Sequence, residues 1–252
     1  IRAENSMRDD KTKILILVEG IKTDVRLMQR LLRLYGIDHK HEIVSYNTSI
    51  YTLYNEMFRD NDPEYYDILQ VLKEREKDEN RKRIFDEEYS DILLIFDYDP
   101  QDVHYDKDKI IQMQEFFTES SDMGKLYINY PMVEAFYHMK SIPDDEYMLR
   151  ITTKEELTSG GYKKRVHAET IGSDYKKFAA NRTECNIVIK QNLEKAFHII
   201  GMKSSNMETP SLNEIIEFQT NIYEKENWLY VLCTCVFYIV DYNPELIVDA
   251  GM

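Results

Sequence analysis

Two short apolar runs, each broken off by carboxylates, constrain this chain more than any other feature. Lys13-Ile-Leu-Ile-Leu-Val18 stops on Glu19-Gly20, and Asp91-Ile-Leu-Leu-Ile-Phe96 stops on Asp97-Tyr98-Asp99-Pro100. Runs of aliphatic and β-branched residues without polar alternation suit strands covered on both faces, as in the middle of a parallel sheet. Parallel neighbours need a crossover, and Val25, Met28, Leu31, Leu32 and Tyr35 recur at helical spacing until Gly36, a helix stop. The pattern predicts an α/β fold with a central, mainly parallel sheet flanked by helices. In such folds ligands bind outside the carboxyl ends of the strands, where Glu19, Asp97 and Asp99 all fall.

Further along, His41–Tyr46 reads as a strand and Ser49–Phe58 as a helix capped by Ser49. Residues 63–90 turn highly charged and read as a helical insertion with Ile68, Leu69 and Leu72 as anchors. Ile110–Phe117 is expected as a return helix, Gly124–Asn129 as a strand and Met132–Met139 as a helix. Beyond Pro143 helices are expected at Asp174–Ala180, Glu184–Ile200, Ser211–Tyr223 and Asn227–Asp241, with Thr158–Tyr162 as a flexible loop. Residues 11–140 are therefore taken as the sheet domain and 141–252 as a mainly helical C-terminal subdomain. Ile1–Ser6 has no apolar leader pattern, and Met7 is taken as the natural start.

Charge narrows the functions available. Forty-six acidic against 32 basic side chains give a formal charge of −14, which opposes broad attraction to nucleic acid, so any such contact must be local or metal-assisted. Three cysteines, Cys185, Cys233 and Cys235, form no CxxC pair and suggest a reduced, cytoplasmic setting. The apolar run Trp228–Val240 is shorter than the ~20 residues a bilayer requires and reads as a buried helix, so no membrane association is expected.

Hard cations such as Mg²⁺, or Mn²⁺ in its place, take oxygen ligands and keep several waters, so a few convergent carboxylates and a substrate phosphate suffice. In extended chain Asp97 and Asp99 would point to one face and Tyr98 to the other, with Pro100 turning the chain away.

Leu17-Val-Glu19-Gly20, followed by Thr23-Asp24 and a helix, and then Ile95-Phe-Asp97-Tyr-Asp99, resembles the TOPRIM domain over roughly Lys13–Met139. The resemblance implies that Glu19, Asp97 and Asp99 coordinate Mg²⁺ and that Glu19 assists proton transfer. Four-cysteine zinc modules are absent, and Gly20-Ile-Lys22-Thr23 lacks the glycine loop of a Walker A motif. The chain is therefore similar to small stand-alone bacterial TOPRIM nucleases, the RloB-like, OLD-type and AriB-like proteins. Asn129-Tyr-Pro131-Met-Val-Glu134 is similar to the pattern RloB-like proteins show after a late strand, which implies a role for Glu134 as a further ligand or water-orienting base; the equal alternative is a carboxylate that complements the dipole at a helix N-terminus. What this implies is a Mg²⁺-dependent nuclease hydrolysing DNA or RNA, an anti-phage effector working with a separately encoded ATPase. The alternative is a non-catalytic TOPRIM scaffold that only binds another protein.

Local positive charge is expected from the Lys163-Lys164-Arg165 triplet, with Lys163 in the catalytic set and Lys164, Arg165 and Lys22 as substrate contacts. Each has a plainer reading as a solvated charge. His138 and His198 read as packing residues, Asp102, Asp106 and Asp108 as a solvated loop, and Tyr127, Tyr130 and Tyr137 as either base-stacking or core side chains.

Overall fold

A computed structural model describes residues 13–60, 62–174, 176–203 and 208–247; the expected start at Met7 lies outside them. The chain opens with β1 (Lys13–Val18), whose residues after Lys13 are all buried, and α1 (Thr23–Tyr35) follows. Gly36 ends α1 at φ 70°, a left-handed conformation glycine adopts without a Cβ clash, and its N–H returns to Leu32 and Arg33 carbonyls. β2 (His41–Ser45) and α2 (Ile50–Met57) complete the expected unit, although the Ser49 side chain makes no capping bond.

The charged insertion is helical as expected: a 3₁₀ turn at Pro63–Tyr65, α3 (Ile68–Arg75), α4 (Glu79–Lys82) and a second 3₁₀ turn at Arg83–Asp86. Asp67 and Asp78 cap α3 and α4 through their side chains. Then come β3 (Tyr89–Asp97), α5 (Lys107–Phe116), the short β4 (Thr118–Glu119) and β5 (Gly124–Asn129).

The protein is α/β, with a mostly parallel five-stranded sheet of order β2-β1-β3-β5-β4 flanked by helices. β1 pairs in parallel with β2, from Ile14 opposite His41 to Val18 opposite Ser45, and with β3, from Ile14 opposite Asp91 to Val18 opposite Ile95. β4 runs antiparallel to β5. β1 is an interior strand between β2 and β3, and Leu15–Val18 are buried on both faces, which explains its unalternating sequence.

By its contacts the chain divides into two compact units, the first comprising the described residues up to Ile95 with Phe116–Leu126, the second Phe96–Glu115 with the described residues from Tyr127. The first is built on the β1–β3 ladder, with Leu31, Leu32, Leu53 and Met57 fully buried.

The second unit contains α6 (Lys154–Thr158), α7 (Gly161–Glu169), α8 (Arg182–Ile199), α9 (Leu212–Glu226) and α10 (Phe237–Tyr242). It also contains a two-stranded antiparallel sheet, β6 (Ile151–Thr153) against β7 (Trp228–Tyr230), which the sequence pattern does not predict. Asn227–Asp241, expected as one helix, is instead β7, an irregular stretch and α10. Asn227 ends α9 at φ 58°, and Leu229 and Val231–Phe237 are entirely buried. A segment apolar on every side carries no periodicity from which to choose helix or strand. Leu232 exchanges two 2.8 Å backbone bonds with Tyr130, and Thr234 Oγ1 donates to the Ile128 carbonyl at 2.8 Å, so this stretch satisfies its polar groups by pairing across the core.

Smaller corrections have local causes. Met132–Met139 is a 3₁₀ turn at Val133–Tyr137 rather than a helix, and Lys176–Ala179 forms turns, with Ala179 left-handed at φ 46°. The expected loop at Thr158–Tyr162 is a sharp break between two helices, made by Gly160 at φ 67°, so the basic triplet lies on the first turn of α7.

Candidate functional site

The second unit gathers four of the expected charged side chains. β3 ends at Asp97, whose residue is 9% exposed, and the backbone beyond it stays pinned: Tyr98 N–H donates to the Asn129 carbonyl and Asp99 N–H to that of Pro131, both at 3.0 Å. Strand alternation does not persist to Asp99, which turns left-handed at φ 38°, a conformation aspartate tolerates better than most residues. Tyr98 is thereby fixed in the core, its hydroxyl 2.9 Å from that of Tyr105. The Asp102 N–H closes the turn on the Asp99 carbonyl at 2.9 Å.

Glu134 enters from the 3₁₀ turn after β5 with its side chain 13% exposed, and Lys163 from α7 with its side chain 63% exposed. Their charged groups are 3.2 Å apart. Gln101 donates from Nε2 to Asp99 Oδ1 at 2.8 Å. Pattern reading misses Gln101; its only signal is an amide two residues beyond the second aspartate.

Electrostatics show that these side chains feel one another. Burial pushes the Asp99 carboxyl up to about 6, against the opposing pull of the Gln101 amide and the Lys163 ammonium, while Glu134 and Asp102 add to the rise. Burial alone would lower Lys163, but the carboxylates of Glu134, Asp97 and Asp99 reverse this and hold its pKa above the ordinary lysine value. Lys163 is therefore a persistent cation facing three carboxyl groups. Two buried acceptors, Glu134 Oε2 and Gln101 Oε1, have no hydrogen-bond donor among the described residues. Buried acceptors left in this state are costly, and a cation or its waters would satisfy them.

The donor types are those a hard divalent ion accepts, carboxylate and amide oxygens, two of them buried and without donors among the described residues. Among the described residues no three His, Cys, Asp or Glu side chains are placed to enclose an ion together. An ion here would accordingly take few protein oxygens and keep much of its water, as Mg²⁺ commonly does.

Glu19 belongs to the first unit. It follows β1, is half-buried, donates its N–H to the Ile95 carbonyl at 3.1 Å and accepts from Asn47 N–H at 2.9 Å. Lys22, also in that unit, is exposed at the start of α1. Lys164 is exposed, whereas Arg165 is committed elsewhere: Nη2 donates to the Ile151 carbonyl at 2.7 Å, and Nε lies 2.8 Å from Glu156 Oε1.

His138 is buried, with Nε2 2.9 Å from Glu169 Oε2, and is held neutral at about 2 by burial and by Arg150, Arg165 and Lys195. His198 is exposed rather than packed inside. Asp102 and Asp106 accept backbone N–H bonds in their own loop, from His104 at 2.7 Å and Asp108 at 2.9 Å, and Asp108 is exposed. Tyr127, Tyr130 and Tyr137 are at most 8% exposed, which makes them core residues rather than a stacking platform.

No family model matches the sequence, and neither a curated protein nor a solved structure matches the chain.

Proposed function

We propose that this protein is a Mg²⁺- or Mn²⁺-dependent nuclease of the TOPRIM type that hydrolyses phosphodiester bonds of DNA or RNA, acting as an anti-phage effector with a separately encoded ATPase partner. The observation that carries the reading is the cluster of Asp97, Asp99 and Glu134 around the Lys163 ammonium, with buried acceptor oxygens of Glu134 and Gln101 that lack donors among the described residues. Asp97 and Asp99 would bind the ion, directly or through its waters, and Glu134 would orient one of those waters. For Glu19, at the carboxyl end of β1, a metal-ligand role is proposed on the family resemblance alone.

A bound divalent ion would polarise the phosphate and lower the pKa of a coordinated water. Lys163, kept protonated by its carboxylate neighbours, cannot act as a base at neutral pH; it can neutralise a phosphate oxygen or protonate the leaving oxygen. Glu134 Oε2, an acceptor without a donor among the described residues, is suited to receive a proton from water. Gln101 orients Asp99 through its amide. With a net charge of −14, the chain would depend on this metal, on the α7 lysines or on its partner to retain a polyanion.

The test is divalent-dependent cleavage of single- and double-stranded DNA, tRNA and total RNA, with and without candidate ATPases. Asp97→Asn and Glu19→Gln are expected to reduce cleavage at least ~100-fold without loss of fold. Wild type as inert as both variants on every substrate and with every partner would leave the non-catalytic scaffold as the better reading.

A further inference from the structure

The first unit contains a cleft of about 530 Å³ that the proposed chemistry does not use. Its lining includes the carboxyl end of β2, the last turn of α3 and the link to α4. Leu17, Val44, Leu72 and Phe85 give it an apolar floor, and all four are at most 7% exposed. Arg75, Lys77 and Arg81 bring three cations to it.

Those cations are not equivalent. The Arg75 guanidinium is braced: Nη1 lies 2.6 Å from Glu56 Oε1, and the group stacks 4.6 Å above the ring of Tyr46. Tyr46 in turn donates its hydroxyl to Glu56 Oε2 at 2.8 Å. Arg81 Nε stands 3.3 Å from Glu76 Oε2, while Glu76 Oε1 accepts the backbone N–H groups of Lys77 and Asp78. Both carboxylates therefore already face a guanidinium, and Lys77 has no side-chain partner among the described residues. The cleft carries surplus positive charge on a chain that is otherwise strongly acidic.

Its position adds a second reason to expect a ligand. Val44–Asn47 stand at the carboxyl end of β2, and Asn47, left-handed at φ 60°, turns the chain away with its N–H bonded to the Glu19 carbonyl. This is the edge at which open α/β sheets bind ligands. The volume falls within the range of small-molecule sites, which combine apolar walls with a few placed polar groups.

We infer that this cleft binds a nucleoside phosphate, with the phosphate on Arg75, Lys77 and Arg81 and the base on the apolar floor beside Tyr46 and Phe85. A guanidinium held rigidly by Glu56 and Tyr46 loses little freedom on meeting a phosphate, which favours affinity. The inference does not rest on the nuclease reading, since none of its residues belongs to the proposed catalytic set.

Isothermal titration calorimetry of the full chain without divalent ions, at low ionic strength, tests it with the four ribonucleoside 5′-monophosphates, the matching nucleosides and inorganic phosphate. At least one monophosphate is expected to bind with a Kd below about 1 mM, at least ~10-fold tighter than its nucleoside or phosphate alone. Lys77→Glu/Arg81→Glu, both substitutions at polar surface positions, should abolish binding while thermal unfolding stays close to wild type. Asp99→Asn should leave binding unchanged. The inference is overturned if no monophosphate binds, if inorganic phosphate binds as tightly as the nucleotides, or if the double variant binds like wild type.

Discussion

Replacing Asp99 with asparagine should make the protein more stable at neutral pH even as it removes the proposed activity. The folded carboxyl group holds its proton to about 6 because burial disfavours the charge, against an ordinary 3.8. Between those values the folded state binds more protons than the unfolded one, so stability falls as pH rises through this window. The favourable contribution is complete below ~3.8 and gone above ~6. At about 1.4 kcal/mol per pH unit, ionised Asp99 costs up to roughly 3 kcal/mol, an upper limit because the side chain keeps some solvent contact. The asparagine would remove the charge and can still accept from Gln101 through its amide oxygen. Urea unfolding followed by circular dichroism at several pH values measures the difference. Asp99→Asn should exceed wild type by ~1–3 kcal/mol near pH 8, with the gap closing towards about pH 4. Adding Mg²⁺ near pH 8 should stabilise wild type by up to ~2.7 kcal/mol at a hundredfold excess over its Kd, and the variant much less. A gap that does not change with pH, or a variant less stable than wild type near pH 8, would refute the reasoning.

Three further outcomes are expected. Lys163→Ala removes a largely exposed ammonium, so unfolding free energy should move by no more than ~1 kcal/mol while cleavage in a fixed-time assay falls ~100-fold or more. Gly20→Ala should cost ~1–3 kcal/mol in urea unfolding, because a Cβ there would clash with the carboxylate of the buried Asp24, and adding Asp24→Ala should recover part of the loss. In NMR spectra His138 should not titrate between about pH 5 and 8, since burial, with the Arg150 and Arg165 guanidinium groups nearby, keeps it neutral; a midpoint near 6.5 would contradict that picture.

What the sequence alone determined lies where physical constraints are local. The two unalternating apolar runs and the i, i+3, i+4 spacing before Gly36 each act within one or two turns of chain, and β1, β3 and α1 follow from them. The carboxylates closing β1 and β3 could likewise be assigned to strand ends, because a charge terminates a buried strand wherever the chain then goes. Only the tertiary structure decided the rest, because it depends on partners distant in sequence. Val231–Val236 became irregular chain rather than helix because Tyr130 and Ile128 offered backbone groups to pair with. Arg165 was withdrawn from the basic triplet by Glu156 and the Ile151 carbonyl, whereas Lys163, two positions earlier on the same helix, was left facing Glu134. The raised pKa of Asp99 comes from the burial, the left-handed turn and the neighbours that folding imposes, and no motif spells it out.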